Sequence, residues 1–461
     1  MTDDPNVAML RTLDASSAAN VPAPHSGNGR IVGIFMVLLL LTALVPAAAV
    51  SAARPAVASF DLEARYEVSV FLRWSTRRVT VKTTIELLND SGGPVDRLEL
   101  NTVAAKLSTL KGLQVKVDGS NVNASVSGQT IKVPLGSPLP EGASARVFVS
   151  YRARLLTSTR GRDYFWTKSN GVAQMYRFIP WLSRKIPFGT QRHGEPFLTP
   201  NSPRARVTVN SDRPLIWATS GRRVARNGNK ITFLAKDVRD FSLTASPAYK
   251  TVSGRSRDGD TRIFVHTRSL DGRRLLRLAR EELARYEART GIEYPHPTYR
   301  IAESGGGLAI ESPGLVWIPG DRAASDLPYL VSHETAHQWF YAIVGNDQST
   351  NAFADEALAE YYSRKAHLSM RPSRCKADRL DRNIRDYSSR CYYEVIYVQG
   401  ARFLDRLRRD FGASRFKRAI KAYSQENRNG IGSNVKLLEA FRAEMGNAVL
   451  PRYKNRFPSL Y

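Results

Sequence analysis

Between about Phe60 and Tyr249, apolar and polar residues alternate in short runs. Examples are RYEVSVFLRW at 65–74, RVTVKTTIELL at 78–88, ARVFVSYRARL at 145–155 and ARVTVNSD at 205–212. A period of two puts successive side chains on opposite faces of a strand, and the valine, threonine and tyrosine content suits a half-buried sheet. The breaks NDSGG, VDGSN and NSDRP are turn formers. Residues 58–250 are therefore predicted to form an antiparallel β domain of sandwich or saddle type, its alternating basic residues on the solvated face. Near residues 253–260 the stretch SGRSRDGD reads as a linker, and beyond it the period changes. TRIFVHT is a predicted strand, and DGRRLLRLAREELARYEART a predicted helix with Asp271 as its N-cap. Further strands are predicted at 298–302 and 315–318. Helices are predicted at about 326–344, 352–370, 394–410, 413–426 and 435–446. Residues 256–461 thus read as an α+β domain, with a cleft expected between the two units.

Ahead of both lie a polar tail over 1–30 and an uncharged segment at 31–53, IVGIFMVLLLLTALVPAAAV followed by SAA. Its apolar part is about one bilayer thickness of helix. Two readings stand: a transmembrane signal anchor, or a signal peptide cleaved after Ala52, where Val50 and Ala52 are suitably small. Both place the body of the protein outside the cytoplasm, either on a single-pass membrane anchor or secreted. Cys375 and Cys391, the only cysteines, then read as a disulfide, with two buried thiols as the alternative. The formal charge of +26 over 461 residues points to anionic neighbours. No zinc-finger spacing, RNP-like motif or basic region with heptads is present, so nucleic acid is not expected. A membrane or an anionic cell-envelope surface fits better.

The chemistry concentrates at His333-Glu334-Thr335-Ala336-His337. On a helix, residues four apart share a face, so the two imidazoles can hold one ion, and neutral imidazole suits zinc. Glu334 is rotated off that direction, beside the metal without ligating it, where a general base for a water molecule belongs. With eighteen residues between, Glu356 follows His337 in the predicted next helix, as a third ligand. Three protein ligands leave one position open, the catalytic arrangement of a single Zn2+. Asp355 and Glu360 are candidates to orient the ligands, or are simply solvated helix carboxylates.

The segment HETAHQWFYAIVGNDQSTNAFADEALAEYY resembles the zinc site of the gluzincin aminopeptidases, the membrane alanyl aminopeptidase family, and most closely its bacterial branch. Phe353 stands where tryptophan is usual, and Asp355 where asparagine is common. Upstream, GGGLAIESPGLVWIP at 305–319 is similar to the family's exopeptidase segment, with Leu308, Ile310 and Ser312 as departures. The resemblance implies that Glu311 grips the substrate's free amine. Downstream, Tyr397-Val398-Gln399-Gly400 resembles the family's Y-x-K-G, which implies that Tyr397 stabilises the oxyanion, although Tyr392 and Tyr393 lie nearby. YRFIPWLSRKIPFG and DVRDFSLTASPAY look like parts of the family's N-terminal saddle. The resemblance further implies a thermolysin-like catalytic domain, a peptide substrate, and a short form without the long C-terminal helical domain. The expectation is an exported metallo-aminopeptidase. Its rivals are a zinc endopeptidase with an open cleft and a non-catalytic basic cell-surface binding protein.

Overall fold

The computed structural model describes residues 59–158, 166–183 and 198–461. The tail over 1–30 and the apolar segment at 31–53 lie outside them. Among the described residues, no helix is long and apolar enough to cross a membrane.

The first domain is built on an eight-stranded sheet. Strand Glu63–Arg73 pairs antiparallel with Arg78–Leu88, and that strand pairs antiparallel with Ser144–Arg154. Burial alternates along each. Tyr66, Val68, Val70 and Leu72 point to the core with Val79, Val81 and Ile85, while Glu67, Lys82 and Glu86 face outward. The expectation of a purely antiparallel domain is corrected on the other side, where Glu63–Arg73 runs parallel to Arg204–Ser211, Val68 opposite Val207 and Val70 opposite Val209. Alternation encodes which face a side chain takes, not the direction of the neighbouring strand. Two four-stranded sheets share this core; one includes Val95–Asn101 and Thr130–Leu139, the other Val172–Met175 and Leu243–Ser246.

A second correction falls on the stretch read as a linker. Lys250–Arg255 is a strand, paired antiparallel with Arg262–Thr267. The polar residues between them make a turn in which Ser256 Oγ accepts from the Thr261 amide at 2.9 Å. Turn and linker share a composition, so only the pairing separates them. This hairpin opens a five-stranded sheet that continues through Thr298–Ser304 and Leu315–Pro319 and ends at the short strand Ile310–Ser312. Its alternate residues serve two cores. Ile263, Val265, Tyr299, Ile301, Val316 and Ile318 pack with the helices. Ala302, Leu315 and Trp317 pack with the first domain, and the Trp317 ring meets Tyr176 edge-on at 5.8 Å. The sheet is therefore the shared wall between the two domains.

Helix Gly272–Thr290 begins where Asp271 accepts from the amides of Arg273 and Arg274 at 2.9 and 3.0 Å. It ends at Gly291, whose φ of 68° is the left-handed conformation that glycine takes without strain. The next helix, Leu327–Ala336, is buried from Tyr329 to Ala336. The helix expected at 326–344 is α-helical only to Ala336. A wider π turn, Gln338–Ile343, follows, with Phe340 at φ −97° and ψ 33°. Apolar spacing continues across this break, so periodicity does not reveal it. Carbonyls there bond outside the helix: Arg239 Nε donates to Ala342 at 3.1 Å and Nη2 to Ile343 at 3.3 Å. Likewise, the helix expected at 352–370 starts as a regular helix at Glu356 and ends at His367, and that expected at 394–410 opens with the π turn Tyr393–Gln399 before Gly400–Phe411. Cys375 and Cys391 form a disulfide.

Candidate metal centre

The helix Leu327–Ala336 carries His333 and Glu334, and His337 caps it. Beside it, Glu356 is the first residue of helix Glu356–His367, where the positive end of the helix dipole favours a carboxylate. Buried Glu282 sets the distance between these elements from a third helix. Its Oε2 accepts from Ser332 Oγ at 2.8 Å, and its Oε1 lies 2.8 Å from His367 Nε2 and 2.7 Å from Arg285 Nη1. One carboxylate thus ties the neighbour of His333 to the far end of the Glu356 helix.

The donor atoms converge. His333 Nε2 and His337 Nε2 are 3.3 Å apart, and Glu356 Oε2 is 3.4 Å from each. A tetrahedral ion held at about 2.0–2.1 Å requires donors roughly 3.3–3.4 Å apart. All three side chains are buried, and Glu356 Oε2 has no hydrogen-bond donor. A bare carboxylate oxygen facing two imidazole nitrogens is costly without a cation, so the residues present fit zinc. His333, His337 and Glu356 form a zinc-binding triad.

The supporting contacts divide by ligand. Asp355 Oδ1 accepts from His337 Nδ1 at 2.9 Å, which leaves Nε2 bare for the metal. Gln348 Nε2 donates to Glu356 Oε1 at 2.9 Å and to Asp355 Oδ2 at 3.3 Å. Glu360 Oε2 lies 3.4 Å from His333 Nδ1, while Arg364 and the Tyr329 hydroxyl also hold that carboxylate. Both carboxylates therefore stand behind histidines rather than in solvent. Gln348 was not anticipated, since a lone glutamine in a polar turn gives no sequence signal.

Glu334 and Glu311 form a second cluster with His337. Donor atoms of Glu311, Glu334 and His337 all lie within 4.8 Å of one another. Glu311 is 5% exposed with Oε1 unpartnered. Its strand is pinned to the chain after the motif by Gln338, whose Nε2 donates to the Ser312 carbonyl at 3.1 Å and whose Oε1 accepts from the Gly314 amide at 2.8 Å. Ser312 Oγ in turn donates to Asp240 at 2.6 Å. Gln338 and Asp240 were also invisible in the sequence, because their partners are distant along the chain.

Burial pushes the Glu334 carboxyl up to about 8 against the pull of His333, and burial raises Glu311 as well. Burial also works against ionised Glu356, but His337 and His333 outweigh it and hold that carboxyl well below its usual range. Burial alone would lower His337; Glu311, Asp355 and Glu356 raise it instead.

Tyr397 is 7% exposed, and its ring stacks on His333 with centroids 5.8 Å apart and planes 10° from parallel. Burial first, and then the neighbouring Glu356 carboxylate, keep its hydroxyl protonated. The two neighbouring tyrosines are engaged elsewhere: Tyr392 with Gln348 at 3.4 Å, and Tyr393 as acceptor from Arg364 at 3.1 Å. Gly400 lets this turn approach, since a Cβ there would lie 2.6 Å from Ala357 Cβ.

The chain matches no protein-family sequence model. Solved structures are more informative. An M1 zinc metallopeptidase of Deinococcus radiodurans, crystallised as a glutamate-to-alanine variant, superposes with a TM-score of 0.65 at 18% identity, over 87% of this chain and 95% of that one. The same enzyme bound to a Tyr-Ser-Ala substrate gives 0.65 at 19% identity, over 87% and 96%. A two-domain M1 zinc metallopeptidase variant bound to L-tryptophan gives 0.63 at 18%, over 86% and 94%. The chain thus has the fold of the M1 zinc metallopeptidases, a β-rich domain followed by an α+β domain that carries the zinc-binding triad of His333, His337 and Glu356.

Proposed function

We propose that this chain is a zinc aminopeptidase that releases N-terminal residues from peptides. The observation that carries this reading is Glu311, a buried carboxylate with one bare oxygen, facing the same space as Glu334 and His337. A site that only bound metal has no need of it, whereas a substrate ammonium would neutralise it and fix which peptide bond meets the metal. Zinc, when bound, polarises a carbonyl and acidifies water. Glu334 takes the proton from the attacking water and delivers it to the departing amine. The Tyr397 hydroxyl donates to the oxygen on which negative charge develops. The Tyr-Ser-Ala ligand of the Deinococcus structure is in keeping with a peptide substrate. The apolar segment at 31–53 supports an extracytoplasmic site of action, membrane-anchored or secreted.

The test uses one peptide with a free or an acetylated N-terminus. Wild type should cleave the free form at least about 100-fold better, and Glu311→Ala should abolish the preference. Glu334→Gln should keep one zinc per chain while kcat falls by about 10²–10⁴. Equal cleavage of the free and acetylated peptides by wild type would make the chain an endopeptidase. Zinc binding with activity indistinguishable from Glu334→Gln would leave only a binding protein.

A further inference from the structure

A second concave site lies away from the zinc centre and shares no residue with it. It is a cavity of about 510 Å³ between the first domain and the edge of the five-stranded sheet. Five arginines line it (Arg222, Arg223, Arg226, Arg262 and Arg300), and none of its lining residues is acidic. Among the described residues, none of the five makes an ion pair. Arg222, Arg223, Arg226 and Arg262 are exposed at the rim, whereas Arg300 is 4% exposed, with the Thr219 carbonyl and Thr298 Oγ1 accepting from its Nη1 at 3.1 and 3.0 Å.

Two further observations indicate a ligand. His266 lines the cavity and is 5% exposed; its Nδ1 lies 3.0 Å from Thr251 Oγ1, while its Nε2 is buried without a partner. Two guanidinium groups lie over the Phe264 ring, Arg262 at 4.9 Å and Arg300 at 5.1 Å from its centroid. Trp217 and Phe233 add apolar wall. Cationic forks beside aromatic surface and one spare imidazole nitrogen suit a doubly charged oxyanion attached to an apolar or aromatic body.

We propose that this arginine-lined cavity is a binding site for an organic phosphate dianion with an apolar or aromatic substituent, independent of the zinc chemistry. Titration of the zinc-loaded full chain with 1-naphthyl phosphate, inorganic phosphate and 1-naphthol tests it. The aryl phosphate should bind at one site per chain, at least about tenfold tighter than either fragment. Arg223→Gln with Arg262→Gln changes two exposed side chains, so the fold is preserved, and this double variant should weaken binding by at least about tenfold. Arg152→Gln with Arg154→Gln, in a separate basic concavity, should leave it unchanged. Equal losses in both double variants would mean a diffuse positive field and overturn the site. So would the absence of saturable binding. Inorganic phosphate binding as tightly as the aryl phosphate would overturn the assigned ligand class.

Discussion

Asp355 reaches the metal site through two contacts: it accepts from His337 Nδ1 at 2.9 Å and, at 3.3 Å, from the Gln348 amide that also donates to Glu356. Replacing Asp355 with alanine leaves the three ligands in place but frees the imidazole to rotate and to change tautomer. Zinc affinity should fall by about 10- to 100-fold, read by competition with a chelator of known affinity. Unchanged zinc retention would reduce Asp355 to a packing residue. The sequence singles out Asp355 and Glu360 as carboxylates near the metal because both lie on the segment that supplies Glu356. It is silent on Gln338, Gln348 and Asp240, which are common residue types whose roles depend on chain segments far away.

At the scale of elements, Glu303 holds the turn between strand Arg262–Thr267 and helix Gly272–Thr290. Its Oε2 accepts from the amides of Arg268, Ser269 and Leu270 at 2.7, 2.8 and 3.0 Å, and its Oε1 from Ser269 Oγ at 2.7 Å. Burial acts to raise this carboxyl, but the amides outweigh it and leave it below its usual range. A carboxyl with a depressed folded-state pKa stabilises the fold above its unfolded value. That contribution is lost as pH falls from about 4.3 through the folded value. Glu303→Gln should therefore destabilise by about 1.5–3 kcal/mol at pH 7. The difference from wild type should narrow progressively in denaturant titrations as pH falls below about 4.3, and a constant difference at every pH would refute the ionic role. Strands in this region are legible because period-two alternation marks them. The turn that Glu303 holds is not, because Arg268-Ser269-Leu270 has no turn signature of its own.

For the whole molecule, the decisive contact is Arg239, which is 1% exposed. From the first domain it donates to the carbonyls of Thr199, Ala342, Ile343 and Gly430, at 3.1, 3.1, 3.3 and 3.1 Å. Gly345 leaves room for its guanidinium, which a Cβ there would strike. Arg239→Met would leave the buried Thr199 and Ala342 carbonyls without their side-chain donor, whereas Ile343 and Gly430 keep the amides of Asn429 and Gly345; the loss should cost on the order of 2–5 kcal/mol. The urea midpoint measures this, and a change below about 1 kcal/mol would show that the domains hold together without it. Composition marks Arg239 as one more basic residue in a chain of charge +26. Burial is what separates it, with Arg177, Arg300 and Arg364, from the solvated arginines.

The sequence by itself determined the two-part architecture, the face each strand turns inward, and the zinc donors, because periodicity and a fixed helical spacing are local properties. Tertiary structure alone decided the parallel pairing of Glu63–Arg73 with Arg204–Ser211, the hairpin where a linker was expected, and the breaks after Ala336 and before Glu356. Each of these depends on which distant backbone groups a segment meets, and hydrogen-bond partners remote in sequence leave no local pattern. The same holds for Glu311: its residue type is visible in the chain, but its bare oxygen near His337 depends on Gln338, Asp240 and the neighbouring strand holding its own strand against the metal motif.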